Sequence, residues 1–318
     1  MTATDFDGAV RLSHLGVIRA AGADAASFLH NQLTQDVEHQ DAHQARLAAY
    51  CSAKGRMLAS LLVLRPAAEE VLLVAATDLL PALVKRLGMF VLRAKARLAD
   101  ASAEVALVGL AGASARAWLG AAAEGATWSV TEHAQGRLVR LPDGRAQEQP
   151  QPRWLWLGAP EAAAALQAAL PALPAERWQW LELTTGVPGI VQATAEQFVP
   201  QMINFELVGG VNFKKGCYPG QEIVARSQYL GKLKRRAALY HSDAPMQPAQ
   251  EVFSAADPGQ PSGMVVNAAP NPAGGWSALV EIKLAAREGD LHLGAADGPA
   301  LRLGQLPYAV TEELDAVS

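Results

Sequence analysis

The sequence is poor in cysteine, and this scarcity excludes several classes of protein. Cys51 and Cys217 are the two cysteines among 318 residues, and no Cys-x-x-Cys pair occurs. A disulfide framework is therefore excluded, as is a site of four cysteines within this chain that holds zinc or an iron–sulfur cluster. Two unclustered cysteines are typical of a reducing compartment, so we expect a cytoplasmic protein.

Long apolar runs and a surplus of basic residues are also missing. No apolar run approaches the roughly 20 residues that span a bilayer, and the acidic residues 1–7 lack the apolar core of a signal peptide. The net charge is -4, whereas nucleic-acid-binding proteins usually carry a basic surplus. We therefore expect a soluble protein with no membrane partner and no strong autonomous nucleic-acid binding. Residues 232–236 hold one local basic cluster, which leaves a local anion contact open.

Common motifs for metals and nucleotides are absent as well. Neither Gly-x-Gly-x-x-Gly nor Gly-x-x-x-x-Gly-Lys-Ser/Thr occurs. The seven histidines include no His-Glu-x-x-His motif, and His30, His39 and His43 are only loosely spaced around a predicted helix end. The sequence therefore predicts no metal site.

What is present indicates an α+β protein of more than one domain. Half of the residues are apolar, and the length suits two or three domains. Strand and helix patterns follow the order β-β-α-β and then β-α-β-β-α, which favours α+β layers over a doubly wound sheet. After residue 234, short β runs alternate with Pro/Gly turns, as in a small antiparallel barrel. We predict a ligand-binding α+β region of two interleaved subdomains over residues 1–234, and a C-terminal β-barrel over residues 235–318.

Individual elements follow from the spacing of apolar residues. Phe90 to Leu98 is predicted as a strand, and Glu222 to Tyr229 as a helical turn. Arg137 to Leu141 is predicted to pair with Arg153 to Leu157 across a turn at Pro142-Asp143-Gly144. The barrel strands are predicted at Ala237–His241, Ser262–Asn267, Trp276–Ile282, Leu291–Leu293 and Ala300–Leu303.

The loop around Cys217 is the densest cluster of special residue types in the chain. It reads Lys-Lys-Gly-Cys-Tyr-Pro-Gly-Gln-Glu over residues 214–222. Pro219-Gly220 suits the centre of a type II turn, which would place Cys217 on a tight turn. Lys214 and Lys215 would favour the thiolate, the reactive and metal-binding form of cysteine.

Other side chains of this loop suit a polar ligand. Gln221 and Glu222 present amide and carboxylate groups to a ring edge with donors and acceptors, and Arg226 suits a carboxylate or phosphate. A free cysteine is also commonly a small buried hydrophobe, so spacing alone leaves a functional and a structural Cys217 open.

The loop resembles the K-G-C-Y-x-G-Q-E signature of the YgfZ-type folate-binding proteins, whose wider superfamily contains the glycine-cleavage aminomethyltransferase. The resemblance runs nearly end to end. It includes residues 22–37, the block Tyr50 to Met57, and the stretches Gly186-Val187-Pro188 and Phe198 to Gln201.

This resemblance implies a ring-like fold of three parts around a central folate site, with tetrahydrofolate or a one-carbon derivative as ligand. It further implies a role in assembling or repairing iron–sulfur enzymes, including enzymes that modify tRNA. Cys217 and Lys215 are then the candidate catalytic residues, with the lysine tuning the thiol. The predicted cofactor-binding residues are Tyr218, Gly220, Gln221, Glu222, Arg226, Asp36, Lys54 and Arg56.

Several alternatives stay open. Asp36 either anchors folate or caps a turn, and Lys54 and Arg56 either meet the anionic folate tail or are solvated. Aminomethyltransferases carry a pterin-binding Glu where this chain has Thr184, so one-carbon transfer to an acceptor is the alternative rather than the main function. A folate-sensing module that docks tRNA through residues 232–236 is a third hypothesis.

Overall fold

A computed structural model describes residues 6–146, 149–229 and 233–310. Lys232, part of the predicted basic cluster, lies outside these residues. The α-helices are α1 (Ala25–His30), α2 (Leu80–Gly88), α3 (Gly112–Leu119), α4 (Pro160–Ala169), α5 (Ala175–Thr184) and α6 (Gln221–Tyr229). The strands are β1 (Gly8–Arg11), β2 (Leu15–Ala21), β3 (Arg46–Cys51), β4 (Met57–Ala67), β5 (Glu70–Ala76), β6 (Arg97–Asp100), β7 (Ala106–Ala111), β8 (Val130–His133), β9 (Gly136–Ala146), β10 (Gln149–Gly158), β11 (Arg235–Ser242), β12 (Glu251–Ser254), β13 (Gly263–Pro270), β14 (Trp276–Lys283), β15 (Leu291–Leu293) and β16 (Ala300–Leu303).

Two antiparallel sheets form the first part of the chain. One has the strand order β1-β7-β10-β9-β8 and the other β3-β4-β5-β2-β6. Trp154 and Trp156, two residues apart on β10, are both buried in the same apolar cluster on one face of the first sheet. Their indole N–H groups donate to the carbonyls of Ala123 and His133, so the buried polar atoms of both rings are satisfied.

A closed barrel with the order β11-β14-β13-β12-β15-β16 completes the fold, so the predicted α+β class and C-terminal barrel are confirmed. The strands β15 and β16 have the predicted bounds, whereas β12 was not predicted. Arg236 at the start of the barrel forms a buried ion pair with Glu206. Asn204 also exchanges hydrogen bonds with the backbone of Ala237, which ties the barrel to the preceding segment.

Two predicted elements need correction. The strand predicted over residues 90–98 is wrong, because strand β6 covers only Arg97–Asp100. The apolar residues that suggested an earlier start are largely solvent-exposed: Phe90 is 47% and Leu92 is 87% exposed. The predicted pairing of β9 with β10 is confirmed, since Leu141 faces Arg153, but no turn interrupts it at residues 142–144. The ladder continues to the pair Ala146 and Gln149.

The predicted helical turn before the barrel is confirmed as α6. The longest helices among the described residues have ten residues, and none is long and apolar enough to cross a membrane.

Candidate functional site

The Cys217 loop contains the predicted tight turn. The N–H of Gln221 donates to the carbonyl of Tyr218 over 3.2 Å, and Gly220 between them has φ 77°. A positive φ at this third position, after Pro219, is the geometry of a type II turn. Helix α6 begins at the end of this turn, and Cys217, the residue before the turn, is exposed.

A second turn, residues 52–55, packs against this loop at two glycines. A Cβ atom on Gly220 would lie 2.4 Å from the carbonyl oxygen of Ser52, and one on Gly55 would lie 2.8 Å from Cβ of Ile223. Both glycines have positive φ, so both the backbone conformation and the close approach require glycine. This contact brings Lys54 beside the cysteine loop, although the two segments lie far apart in sequence.

Lys215 connects the loop to helix α1. Its Nζ donates to the carbonyls of His30 and Leu33, the latter over 2.9 Å, and lies 5.1 Å from the centre of the Tyr218 ring. The His30 carbonyl belongs to the last residue of α1, where a cation is favourable because terminal carbonyls lack helical partners. Burial lowers the pKa of Lys215 to about 8, although the charges of Asp36 and Cys217 act in the opposite direction.

The remaining predicted residues lie around this loop. Glu222 and Arg226 are exposed on α6, Gln221 is half-buried, and Tyr218 is buried. Lys54 is exposed in its turn, whereas Arg56 donates to the carbonyl of Gln197. We call residues 214–226 together with Lys54 and Asp36 the cysteine site.

Asp36 is held by two histidines at the edge of the cysteine site. Its Oδ1 lies 2.9 Å from Nδ1 of His30, and both carboxylate oxygens lie 3.1 Å from Nδ1 of His39. Burial raises the pKa of Asp36, but hydrogen bonds from His39 and His30 outweigh this effect and lower it overall. Asp36 also accepts from the backbone N–H of His39. It therefore caps a turn, which is one of the two roles that the sequence left open for it.

The two cysteines have opposite environments. Cys51, at the end of β3, is 1% exposed, and burial raises the pKa of its thiol to about 12. Cys217 is exposed. Because the thiolate is the reactive form, Cys217 is the cysteine suited to chemistry with a partner outside the chain, and Cys51 is inert.

A cavity of about 700 Å³ lies elsewhere, where both sheets, α5 and the barrel meet. Its lining is mostly apolar, and none of the residues predicted for catalysis or cofactor binding contributes to it. Ser60 and Leu62 on β4, Leu155 on β10 and Asn267 on β13 show how distant segments combine to line it. Its size is that of pockets that take a cofactor or a drug-sized molecule.

Two residues that line the cavity each carry a buried hydrogen-bond donor without a partner among the described residues. The donors are Nη1 of Arg153 and Nε1 of Trp178, whose side chains also stack, with the guanidinium carbon 4.9 Å from the ring centre. Arg153 is 4% and Trp178 is 1% exposed. Burial lowers the pKa of Arg153 to about 10, so its guanidinium is still charged at neutral pH. Unpaired buried donors are costly, so acceptor atoms beside these two would be favourable.

The cavity also contains a carboxylate. Glu182 on α5 lies 3.3 Å from Nε2 of His14, and both line the cavity. Thr184, at the position of the aminomethyltransferase Glu, is buried; its hydroxyl accepts from the N–H of Arg145 and donates to the carbonyl of Leu181. The carboxylate at this end of α5 therefore stands two residues earlier than the family pattern predicts.

Sequence reasoning did not select Arg153, Glu182 or His14, because they lie on three elements and share no motif. One signal was available: Arg153 is a charged residue opening the strand Arg-Trp-Leu-Trp-Leu, which is otherwise apolar. A charge at a predicted core position is uncommon unless it is paired or functional.

Comparisons with known proteins agree with this architecture. The family profile of the GCVT N-terminal domain matches residues 7–141. The chain is 34% identical over 247 residues to the tRNA-modifying protein YgfZ of Edwardsiella ictaluri, covering 71% of this chain and 68% of that protein. It is 29% identical over 314 residues to the protein of the same name from Sodalis glossinidius, covering 95% of this chain and 93% of that protein.

The fold is also that of a solved enzyme structure. The glycine cleavage system aminomethyltransferase T from Bartonella henselae superposes with a TM-score of 0.75 and 18% identity, covering 96% of this chain and 87% of that one. On these matches and the shared architecture, the chain belongs to the YgfZ family, which is related to the aminomethyltransferases.

Proposed function

We propose that this protein binds tetrahydrofolate, or a one-carbon derivative of it, in the cavity at α5. We further propose that it acts in the cytoplasm in assembling or repairing iron–sulfur enzymes, including enzymes that modify tRNA. Cys217 is the reactive thiol or transient metal ligand of this activity, and Lys215 positions its loop.

The unpaired donors of Arg153 and Trp178 carry the folate assignment. A pterin presents ring N–H groups beside a carbonyl oxygen, and the folate tail ends in carboxylates. Glu182 is suited to accept from the pterin N–H groups, while Arg153 is suited to donate to a carbonyl or carboxylate oxygen. The mostly apolar lining supports burial of the aromatic rings, and the cavity volume of about 700 Å³ is large enough for the ligand.

The exposure of Cys217 supports the assembly role. The chain has one exposed and one buried cysteine, so it supplies a single accessible thiol and cannot hold a cluster of four thiolates alone. A single thiolate is suited to transient contact with a cluster or with a cysteine of a client enzyme. We propose that Tyr218, Gly220, Gln221, Glu222 and Arg226 shape the loop for this contact, because none of them lines the cavity.

The engaged hydroxyl of Thr184 argues against aminomethyl transfer. It has a donor and an acceptor partner within the fold, so the position at which aminomethyltransferases carry their Glu has a structural role in this chain. Formation of methylene-tetrahydrofolate from an aminomethyl donor would reverse this assignment.

Anaerobic calorimetric titration with tetrahydrofolate and its 5-formyl form tests the folate site. We expect the wild type and Cys217→Ala to bind alike, and Glu182→Gln to bind about 10-fold or more weakly, since hydrogen bonds to charged groups contribute about 1.5–3 kcal/mol. Glu176→Gln, an exposed position on the same helix, is the matched control. Absence of binding by the folded wild type would refute the folate assignment.

Complementation tests the assembly role separately. In cells that lack their own homologue, the wild type should restore the activity of an iron–sulfur tRNA-modifying enzyme, and Cys217→Ala should not. Ser227→Ala on α6 is the control, because its hydroxyl donates within the helix, to the carbonyl of Ile223. Full rescue by Cys217→Ala would remove the thiol from the mechanism while leaving the folate result intact.

A further inference from the structure

Three side chains near the end of α1 bring metal-ligating atoms together. One ligand atom from each of His30, Asp36 and His39 lies within 4.8 Å of the other two. The sequence predicts no metal site here, because the spacing of 30, 36 and 39 matches no common motif. The chain leaves α1 and turns twice, so that His39 returns to the carboxylate that His30 already contacts.

Asp36, at the centre of this group, is held by hydrogen bonds to its main chain and to its carboxylate. The N–H of Asp36 donates to the side-chain oxygen of Gln35, and its carbonyl accepts from Arg46 over 2.7 Å. Its Oδ1 closes the turn to the N–H of His39. A ligand held in place by such contacts loses little freedom when an ion binds.

The donor set is two imidazole nitrogens and one carboxylate oxygen. This combination suits first-row divalent cations such as Zn²⁺, Co²⁺ or Fe²⁺, with remaining positions open to water or a further ligand. Bond lengths of about 2.0–2.1 Å place neighbouring donors of a tetrahedral ion about 3.3 Å apart. The observed N···O distances of 2.9 and 3.1 Å differ from this by a few tenths of an ångström.

Burial is graded across the three ligands. The side chain of His30 is 11% exposed, Asp36 21% and His39 74%. The first two are fixed within the fold, and the third lies at the surface, so an ion has a path of entry. We propose that His30, Asp36 and His39 form a binding site for one first-row divalent cation.

The site adjoins the cysteine loop. A Cβ atom built on Gly216 lies 3.6 Å from Nε2 of His30, the ring nitrogen that is not the proposed ligand atom. The Lys215 ammonium, which the charge of Asp36 influences, faces the same region, and its positive charge limits the affinity for a cation. A bound cation would therefore stand one imidazole ring away from the backbone next to Cys217.

Titration of the metal-depleted full chain with Co²⁺ and Zn²⁺ tests the site. Co²⁺ is followed by its visible absorption, and Zn²⁺ by competition with a chromophoric chelator. We expect one equivalent to bind the wild type, with affinity falling at acidic pH because the ligands must be deprotonated. His39→Gln should weaken binding by at least about 10-fold. Loss of a group that only supports a metal ligand already weakens binding by about 10- to 100-fold.

Two further variants distinguish this site from binding at neighbouring side chains. His43→Gln changes an exposed histidine of the same segment outside the cluster and should bind like the wild type. Cys217→Ser should also retain the Co²⁺ spectrum, because the thiol is not among the proposed ligands. His39 is largely exposed, so its variant should fold, and its folding is checked by circular dichroism. Absence of saturable binding, unchanged binding by His39→Gln, or loss of binding in Cys217→Ser would overturn the proposal.

Discussion

The cysteine site and the cavity at α5 are built in different ways. The cysteine site takes most of its residues from one continuous segment, adds a second turn through the Gly55–Gly220 contact, and ends in exposed side chains. The cavity takes its polar groups from elements far apart in sequence, and Arg153 and Trp178 are almost fully buried there. A site of exposed side chains suits a macromolecular client, whereas a concave, mostly apolar cavity suits a small ligand. In the function proposed above, ligand binding is thus separated from the accessible thiol.

The largest expected difference lies between the two thiols. Cys51 is buried and its pKa is raised to about 12, so at pH 8 about one molecule in 10⁴ would carry the thiolate there. We expect iodoacetamide to alkylate Cys217 at least about 10³-fold faster than Cys51, measured by peptide mass spectrometry. In Cys217→Ser the remaining cysteine should react only after denaturant is added. Comparable rates in the native wild type would contradict the assigned environments.

The next test measures the lowered pKa of Lys215, whose ammonium group connects the Cys217 loop to α1. A free lysine titrates near 10.4, whereas burial lowers the pKa of Lys215 to about 8. Between these values the unfolded chain binds the extra proton, so this group makes the free energy of unfolding rise as pH increases from about 8 to about 10.5.

Heteronuclear NMR of the lysine side chains measures this titration directly. The midpoint should lie near 8 in the wild type, with its resonance assigned by its loss in Lys215→Arg. It should fall further in Asp36→Asn, because that substitution removes a charge that raises the pKa. A wild-type midpoint near 10.4 would show that Lys215 is solvated.

These two tests concern Cys217 and Lys215, which could be selected from the sequence because the features that mark them lie within one short segment. The type II turn at Pro219-Gly220 follows from two adjacent residues with fixed conformational preferences, so it was predicted correctly. The cavity depends on the tertiary arrangement of several elements, and no spacing along the chain places Arg153 beside Trp178. The incorrect strand at residues 90–98 failed for a related reason. An apolar residue such as Leu92 was assumed to be buried, but burial is a property of the whole fold.

Substitution of Gly220 tests whether the cysteine site and the cavity at α5 are independent. In Gly220→Ala the Cβ atom would lie 2.4 Å from the carbonyl oxygen of Ser52 at a residue with φ 77°. Strain and overlap together should lower the free energy of unfolding by about 2–4 kcal/mol, measured by urea denaturation. Gly209→Ala is the control, since φ there is 82° but nothing lies within 4 Å, and it should lose about 1–2 kcal/mol.

The same variant compares the two sites directly. If they are independent, folded Gly220→Ala should bind tetrahydrofolate like the wild type while its Cys217 reacts at an altered rate. Weaker folate binding by the folded variant would mean that the Cys217 loop and the cavity act as one unit.

The smallest effect is expected at His14 in the cavity. Burial lowers the pKa of His14, but the hydrogen bond and charge of Glu182 outweigh this and raise it above 6.5. A raised pKa in the folded state stabilises the fold below the unfolded value, and this contribution disappears as pH rises through the folded value. In Glu182→Gln the midpoint of the His14 titration, measured by NMR, should therefore fall. In the wild type, the folate analogue that binds should also shift this midpoint, because it competes with His14 for Glu182. An unchanged midpoint on ligand addition, with binding seen by calorimetry, would mean that the pterin is held by groups other than this carboxylate.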